Sequence, residues 1–181
     1  IRTHLYKNIP STIITDDFFI SMQVQSAGLR LSYAPEAIAE EFVSNRLLDE
    51  WRRKKRISAG GFQSLSIFLS HLNPLRDPRF AFQFFSHRVL RWVVSAPALL
   101  LFFLSGTALF ILKDTQLYLL CFYLQSSFLV LALLGCIAAF RRTSFLFSFP
   151  FYFLFMHAAL VVGLFSLLSG KQTVLWNKAS R

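Results

Sequence analysis

The sequence predicts an α-helical membrane protein in which the end of an α/β domain leads, through interfacial amphipathic helices, into a bundle of two to three transmembrane helices. Three observations carry this reading. The stretches Val93–Leu112, Leu117–Phe140 and Phe145–Leu168 contain no Lys, Arg, Asp or Glu, and about 20 such residues suffice for a spanning helix. Charge is concentrated ahead of them: residues 1–92 hold 13 of the 19 Lys and Arg and 8 of the 9 Asp and Glu. The chain is 55% hydrophobic with 22 Phe, above the roughly 45–50% of soluble domains.

The first elements lie in residues 1–61. Thr15-Asp16-Asp17 precedes Phe18, Phe19 and Met22, with Gly28 beyond, the pattern of a capped start, a short amphipathic helix and a glycine stop. Leu29, Leu31 and Tyr33 alternate with Arg30 and Ser32, which predicts a strand; Ala37-Ile38-Ala39 is a candidate second one. Asn45 is a candidate cap for a helix with Leu47, Leu48 and Trp51 on its apolar side. Asp49 and Glu50 come early and Arg52-Arg53-Lys54-Lys55-Arg56 late, the order a helix dipole favours. Gly60-Gly61 is expected to break that helix.

Residues 62–92 read as interfacial. Phe62, Leu65, Phe68, Leu69 and Leu72 recur at helical spacing, as on a helix lying along a membrane surface. Pro74 and Pro78 bound a turn. A second amphipathic stretch, Phe80 to Trp92, mixes Arg88 and Arg91 with aromatic residues, which suits the headgroup layer. Residues 93–170 hold the membrane helices and 171–181 a basic tail.

The net charge of +10 points to anionic lipid, phosphorylated ligands or nucleic acid. The apolar stretches favour the bilayer, and no nucleic-acid recognition motif is present, so nucleic acid is not expected as a partner. Cys121 and Cys136 are read as buried, unpaired thiols: fifteen positions on a helix separate them by about 22 Å. His4, His71, His87 and His157 lack ligand spacing and are read as structural, so no metal site is expected in this chain. The chain starts at Ile1 without a signal-peptide pattern and is read as the C-terminal part of a longer protein.

Chemistry is sought first at Asp16 and Asp17. Two carboxylates at a helix start can simply cap it. They can also supply a general base that takes the proton from an acceptor hydroxyl, with the second carboxylate tuning the first. The basic run has two readings as well: an anchor on anionic lipid, or a phosphate contact through the planar fork of an arginine.

The order of these features resembles family 2 glycosyltransferases that make or extend membrane-associated polysaccharides, such as cellulose, hyaluronan and poly-N-acetylglucosamine synthases. The elements are the acidic pair, a helix, the run from Gly28 to Ala37, Glu40-Glu41, and the basic helix reaching Arg56-Ile57-Ser58-Ala59-Gly60. In that family a Thr-Glu-Asp element supplies the base, and a Gln-X-X-Arg-Trp element contacts donor phosphates and acceptor sugar. Thr15-Asp16-Asp17 matches the first, with Asp17 on the base position and Asp16 beside it. Arg53-Lys54-Lys55-Arg56-Ile57 matches the second, with Arg56 on its arginine; Arg53 replaces Gln and Ile57 replaces Trp. The missing Trp removes an aromatic platform for an acceptor sugar. Trp176 and Arg181 resemble the Trp-and-Arg element that follows the last hydrophobic segment near the donor site; an interfacial anchor is the competing reading. The resemblance runs through residues 1–92, including Asn73-Pro74, Ser86-His87-Arg88 and Arg91-Trp92.

The resemblance implies a GT-A-like transferase end on the cytosolic side of the cell membrane. It implies a nucleotide-sugar donor and a glycan or lipid-linked acceptor. It also implies a divalent cation, Mg or Mn, held by a preceding part of the enzyme, so that the present chain alone is inactive. The competing reading is a non-enzymatic anchor or transporter subunit whose basic helix binds lipid. The third apolar stretch carries Pro150, His157 and Gly163 and is expected to be re-entrant or tilted, which would keep the basic tail cytosolic.

Overall fold

The computed structural model describes residues 8–40, 46–69, 74–75, 77–112, 116–137 and 144–172. Among them all regular structure is helical. Helix α1 spans Asp16–Ser26, α2 Leu47–Leu69, α3 Pro78–Phe84, α4 Ser95–Leu112, α5 Gln116–Leu134 and α6 Phe145–Leu168. A π-helical segment, Phe85–Val94, joins α3 to α4. The chain divides into two units: Ile1–Val89 with Ala159–Arg181, and Leu90–Ala158.

In the first unit, α1 ends as its sequence predicts. Gly28 takes a φ of 77°, its N–H bonds the Gln25 carbonyl, and the Leu29 N–H reaches back to Val24. This pair of bonds closes a helix around a left-handed residue that glycine adopts without steric cost. The strands expected at Leu29–Tyr33 and Ala37–Ala39 are not formed. Leu29, Leu31, Tyr33 and Ile38 are exposed, and no other described segment is extended as a strand to pair with them. Alternation specifies a face; a ladder also needs a partner.

Helix α2 corrects a second expectation. It runs 23 residues without a break at Gly60-Gly61. Both glycines are buried, so packing compensates their weak helix propensity of about 1 kcal/mol each. The basic run therefore lies mid-helix, and the last turn of α2 has no basic residue. The segment from Phe62 to Leu69 is the second half of this helix and not a separate element. Asn45, Glu41 and His71 lie outside the described residues. Phe19, Met22 and Val24 of α1 are buried, as are Phe62, Leu65 and Phe68 of α2, and the Phe19 and Phe68 rings lie 5.2 Å apart. Burying each large side chain is worth about 1.5–3 kcal/mol.

Asp77 caps α3 by accepting the Phe80 N–H at 3.1 Å, and Pro78 occupies the first turn, where its missing N–H costs nothing. From Pro78 the chain is helical for 35 residues to Leu112. The amphipathic stretch thus feeds straight into the first apolar helix. Three helices, Pro78–Leu112, Gln116–Leu134 and Phe145–Leu168, are long and apolar enough to cross a membrane.

In the second unit α4 and α5 meet through aromatic rings and one amide. Phe110 stacks on Phe122 at 4.2 Å. Gln125, almost fully buried, donates to the Phe102 carbonyl at 3.3 Å, and Gly106 leaves the space its amide occupies. The beginning of α6 joins through Phe153, 5.7 Å from Phe128. Pro150 sits inside α6 without interrupting it, so the third apolar stretch is one continuous helix. His157 keeps its ring on the Phe153 carbonyl, with Nδ1 at 2.8 Å. Cys121, on α5, and Cys136, in the turn after it, are exposed, not buried as expected; apolar residues on a spanning helix face lipid as readily as protein.

Candidate active site

The acidic pair and the basic helix, far apart in sequence, lie together in the first unit. Residues Pro10 to Thr15 form no helix or strand, yet Ile13, Ile14 and Thr15 are buried. Buried peptide groups need hydrogen-bond partners, and α2 supplies them. The Arg56 guanidinium donates through Nη2 to the Ile14 carbonyl at 2.7 Å. Gln63 accepts the Ile14 N–H at Oε1, 2.9 Å away, and donates from Nε2 to the Thr12 carbonyl at 2.8 Å. Between these two residues stands Gly60, where a Cβ would come within 2.5 Å of the Thr15 hydroxyl. Arg56, Gly60 and Gln63 are spaced i, i+4 and i+7, so they form one stripe on α2.

That stripe presents Thr15 and the carboxylates after it. Thr15 has an extended backbone and makes no side-chain cap. Asp16 Oδ1 accepts the Asp17 N–H at 3.0 Å, and Asp17 Oδ1 accepts the Phe18 N–H at 2.7 Å. Both aspartates are exposed at the first turn of α1, where the helix dipole favours negative charge. One oxygen of each is engaged locally, and each side chain remains open to solvent.

A second cation lies against a side chain of the first turn of α1. The Arg88 guanidinium carbon lies 4.3 Å from the centre of the Phe18 ring, next to Asp17 in sequence. A cation over a ring face is attracted by its quadrupole. Arg88 carried only an interfacial reading in the sequence, and Gln63 none. A seven-residue spacing puts Gln63 on the same face of α2 as Arg56 but does not reveal its partners.

The other basic residues face differently. Arg53 pairs with Glu50 at 3.5 Å, Lys54 with the same carboxylate at 3.4 Å, and Arg52 with Asp49 at 3.8 Å. These are local pairs on one helix surface, worth a few tenths of a kcal/mol each. Arg56 is thus brought to the acidic segment, while Arg53 is occupied by a carboxylate of its own helix. Trp176 and Arg181 lie outside the described residues.

Helix α2 is also seated on α6. Ser58 donates to the Leu160 carbonyl at 2.9 Å. A Cβ at Gly163 would stand 2.6 Å from Ser58 and 2.8 Å from the Lys55 carbonyl. Small residues allow such a close approach of two backbones. Ala159 and Ala59, both buried, flank the crossing. The helix that carries Arg56 is therefore anchored directly on a membrane-length helix.

Among the described residues no three His, Cys, Asp or Glu side chains group to hold a metal ion. The described side chains therefore do not fit the implied divalent cation.

The segment that leads into the acidic pair is thus held by a basic helix, which is itself seated on a membrane-length helix. Residues 6–167 match the family described as glycosyl transferase family group 2. The chain belongs to that family, and the membership supports glycosyl transfer as its activity. Searches of curated proteins and of solved structures gave no match.

Proposed function

We propose that the chain is part of a membrane-bound glycosyltransferase of the polysaccharide-synthase kind, moving a sugar from a nucleotide-diphosphate donor to a growing glycan or lipid-linked acceptor. Asp17 is the general base, with Asp16 as its neighbour. It takes the proton of the acceptor hydroxyl while that oxygen attacks the anomeric carbon and the nucleoside diphosphate leaves. The reading is carried by one observation, the bond from Arg56 to the Ile14 carbonyl. It ties the cation of Arg56 to the segment that leads into the acidic pair, an arrangement that suits an anionic donor and a hydroxyl acceptor. Arg88 adds positive charge from a third element.

Under this reading Arg56 has a double use, holding Ile14 through Nη2 and contacting phosphate or sugar. Trp176 and Arg181 are assigned to the donor side, and Arg53 to a weaker donor contact made by exchange from Glu50. The divalent cation, Mg or Mn, is assigned to a part of the enzyme other than the described residues. The transferase side is cytosolic and the bilayer is the cell membrane. An apolar cavity of about 490 Å³, lined by Phe102, Phe103, Phe128, Phe149 and Phe153 with Gln125, lies in the second unit. Its size and lining suit a hydrocarbon ligand, which favours a lipid-dock role for the membrane helices.

The family membership speaks against a plain anchor or transporter subunit. The deciding experiment incubates membranes carrying the full-length protein with a panel of nucleotide sugars and reads nucleotide release. Release with one donor, dependent on Asp17, is the expected result. No release with any donor, from correctly inserted protein supplied with divalent cation and acceptor lipid, would favour the anchor.

A further inference from the structure

We infer that Gln63 is a positioning residue for the acidic pair, setting where the Asp17 carboxylate stands without touching substrate; this rests on Asp17 being the general base. The Thr12 carbonyl and the Ile14 N–H flank residue 13 on one edge of the chain. They are the two groups that a neighbouring parallel strand would engage through the N–H and C=O of a single residue. No strand is present among the described residues to do so. The Gln63 amide takes that place, with its oxygen on the Ile14 N–H at 2.9 Å and its nitrogen on the Thr12 carbonyl at 2.8 Å. A primary amide carries both a donor and an acceptor, so one side chain can satisfy both groups. Neither a carboxylate nor an apolar side chain can.

The geometry makes this a register pin. Arg56 holds the other polar group of Ile14, its carbonyl, so both peptide groups of that residue are fixed by α2. Thr15 is wedged on Gly60. Only Asp16, the first residue of α1, separates this fixed stretch from Asp17. A slip of the segment along α2 therefore moves the carboxylate by the same amount. A displacement of about 1 Å in a reacting group can cost around 100-fold in rate. The opposite edge of α2 is fixed as well, by Ser58 on Leu160, so the helix itself is a firm reference for the pin.

The test uses the full-length enzyme in membranes and a double-mutant cycle. Gln63→Met keeps the length and removes both hydrogen bonds. It is expected to lower kcat about 10- to 100-fold, with the donor KM within about twofold. Gln63→Glu keeps the acceptor for Ile14 and loses the donor to Thr12, and is expected to fall between Met and wild type. The diagnostic step is Gln63→Met in the Asp17→Asn background, followed by the residual transfer of radiolabelled donor. A residue that acts through Asp17 adds no further loss there, whereas a general loss of folded enzyme multiplies with the Asp17 defect. Should Gln63→Met fail to insert, Gln63→Glu is carried through the same cycle. Multiplying losses would overturn the inference, and so would wild-type kcat for Gln63→Met alongside an inactive Asp17→Asn. A fully active Asp17→Asn would remove the base assignment itself, and with it the inference, whatever Gln63 does.

Discussion

The guanidinium of Arg56 hydrogen-bonds the main-chain carbonyl of Ile14 at 2.7 Å across a sequence separation of 42 residues. Through this bond the basic helix fixes the segment that leads into Thr15, Asp16 and Asp17. Arg56, proposed as a phosphate or sugar contact, thus has a structural partner as well.

Asp17→Asn in the full-length enzyme should abolish transfer while leaving insertion and donor binding nearly intact. Both aspartates are exposed and capped only by local bonds, so the substitution disturbs little packing. Loss of a general base lowers the rate by about 10²- to 10⁴-fold. Near-normal turnover in the nucleotide-release assay would remove Asp17 from the site.

Arg56→Ala should be far more damaging than Arg52→Ala. The first strands the buried Ile14 carbonyl, at about 1–3 kcal/mol. The second loses an ion pair whose arginine side chain is 70% exposed, an effect within about 0.5 kcal/mol. Steady-state kinetics and thermal melting in detergent read both. Equal, small effects would favour a lipid anchor for the whole basic run.

Gly163→Ala should destabilise the protein more than Gly106→Ala. At Gly163 the new methyl meets the Lys55 carbonyl at 2.8 Å and the Ser58 side chain at 2.6 Å, and a helix backbone cannot step aside without moving α2. At Gly106 the obstacle is the amide end of Gln125, which can rotate. Overpacking of the first kind costs about 1–3 kcal/mol. Melting temperatures of the two variants in the same detergent make the comparison, and equal shifts would contradict it.

The tail beyond α6 should lie on the cytosolic side with the acidic pair. Three full crossings would place Lys171, Lys178 and Arg181 outside, against the positive-inside tendency. The seating of Ser58 on Leu160 supports the cytosolic placement, because it joins the helix of the acidic segment to the C-terminal part of α6. The continuity of α6 through Pro150 argues for a tilted helix rather than a broken, re-entrant one. Ser180→Cys, with Cys121 and Cys136 replaced by Ser, should react with an impermeant maleimide only after permeabilisation. Labelling of intact cells would place the tail outside.

Local chemistry made part of this architecture legible in the sequence. The bounds of α6 coincide with the uncharged stretch Phe145–Leu168, and α1 starts at the acidic pair and closes at Gly28. Apolar run length and glycine conformation act within a few residues, so sequence alone determined them, whereas Thr15 makes no side-chain cap at the start of α1 where the sequence suggested one. Tertiary structure decided the rest. Gly60-Gly61 reads as a break until Thr15 is found packed on it, and Leu29–Tyr33 reads as a strand although no described neighbour completes a ladder. Gln63 had no visible role because its partners, Thr12 and Ile14, lie 51 and 49 residues away. A hydrogen bond depends on two groups meeting within about 3 Å, and no local pattern encodes which distant peptide will arrive there.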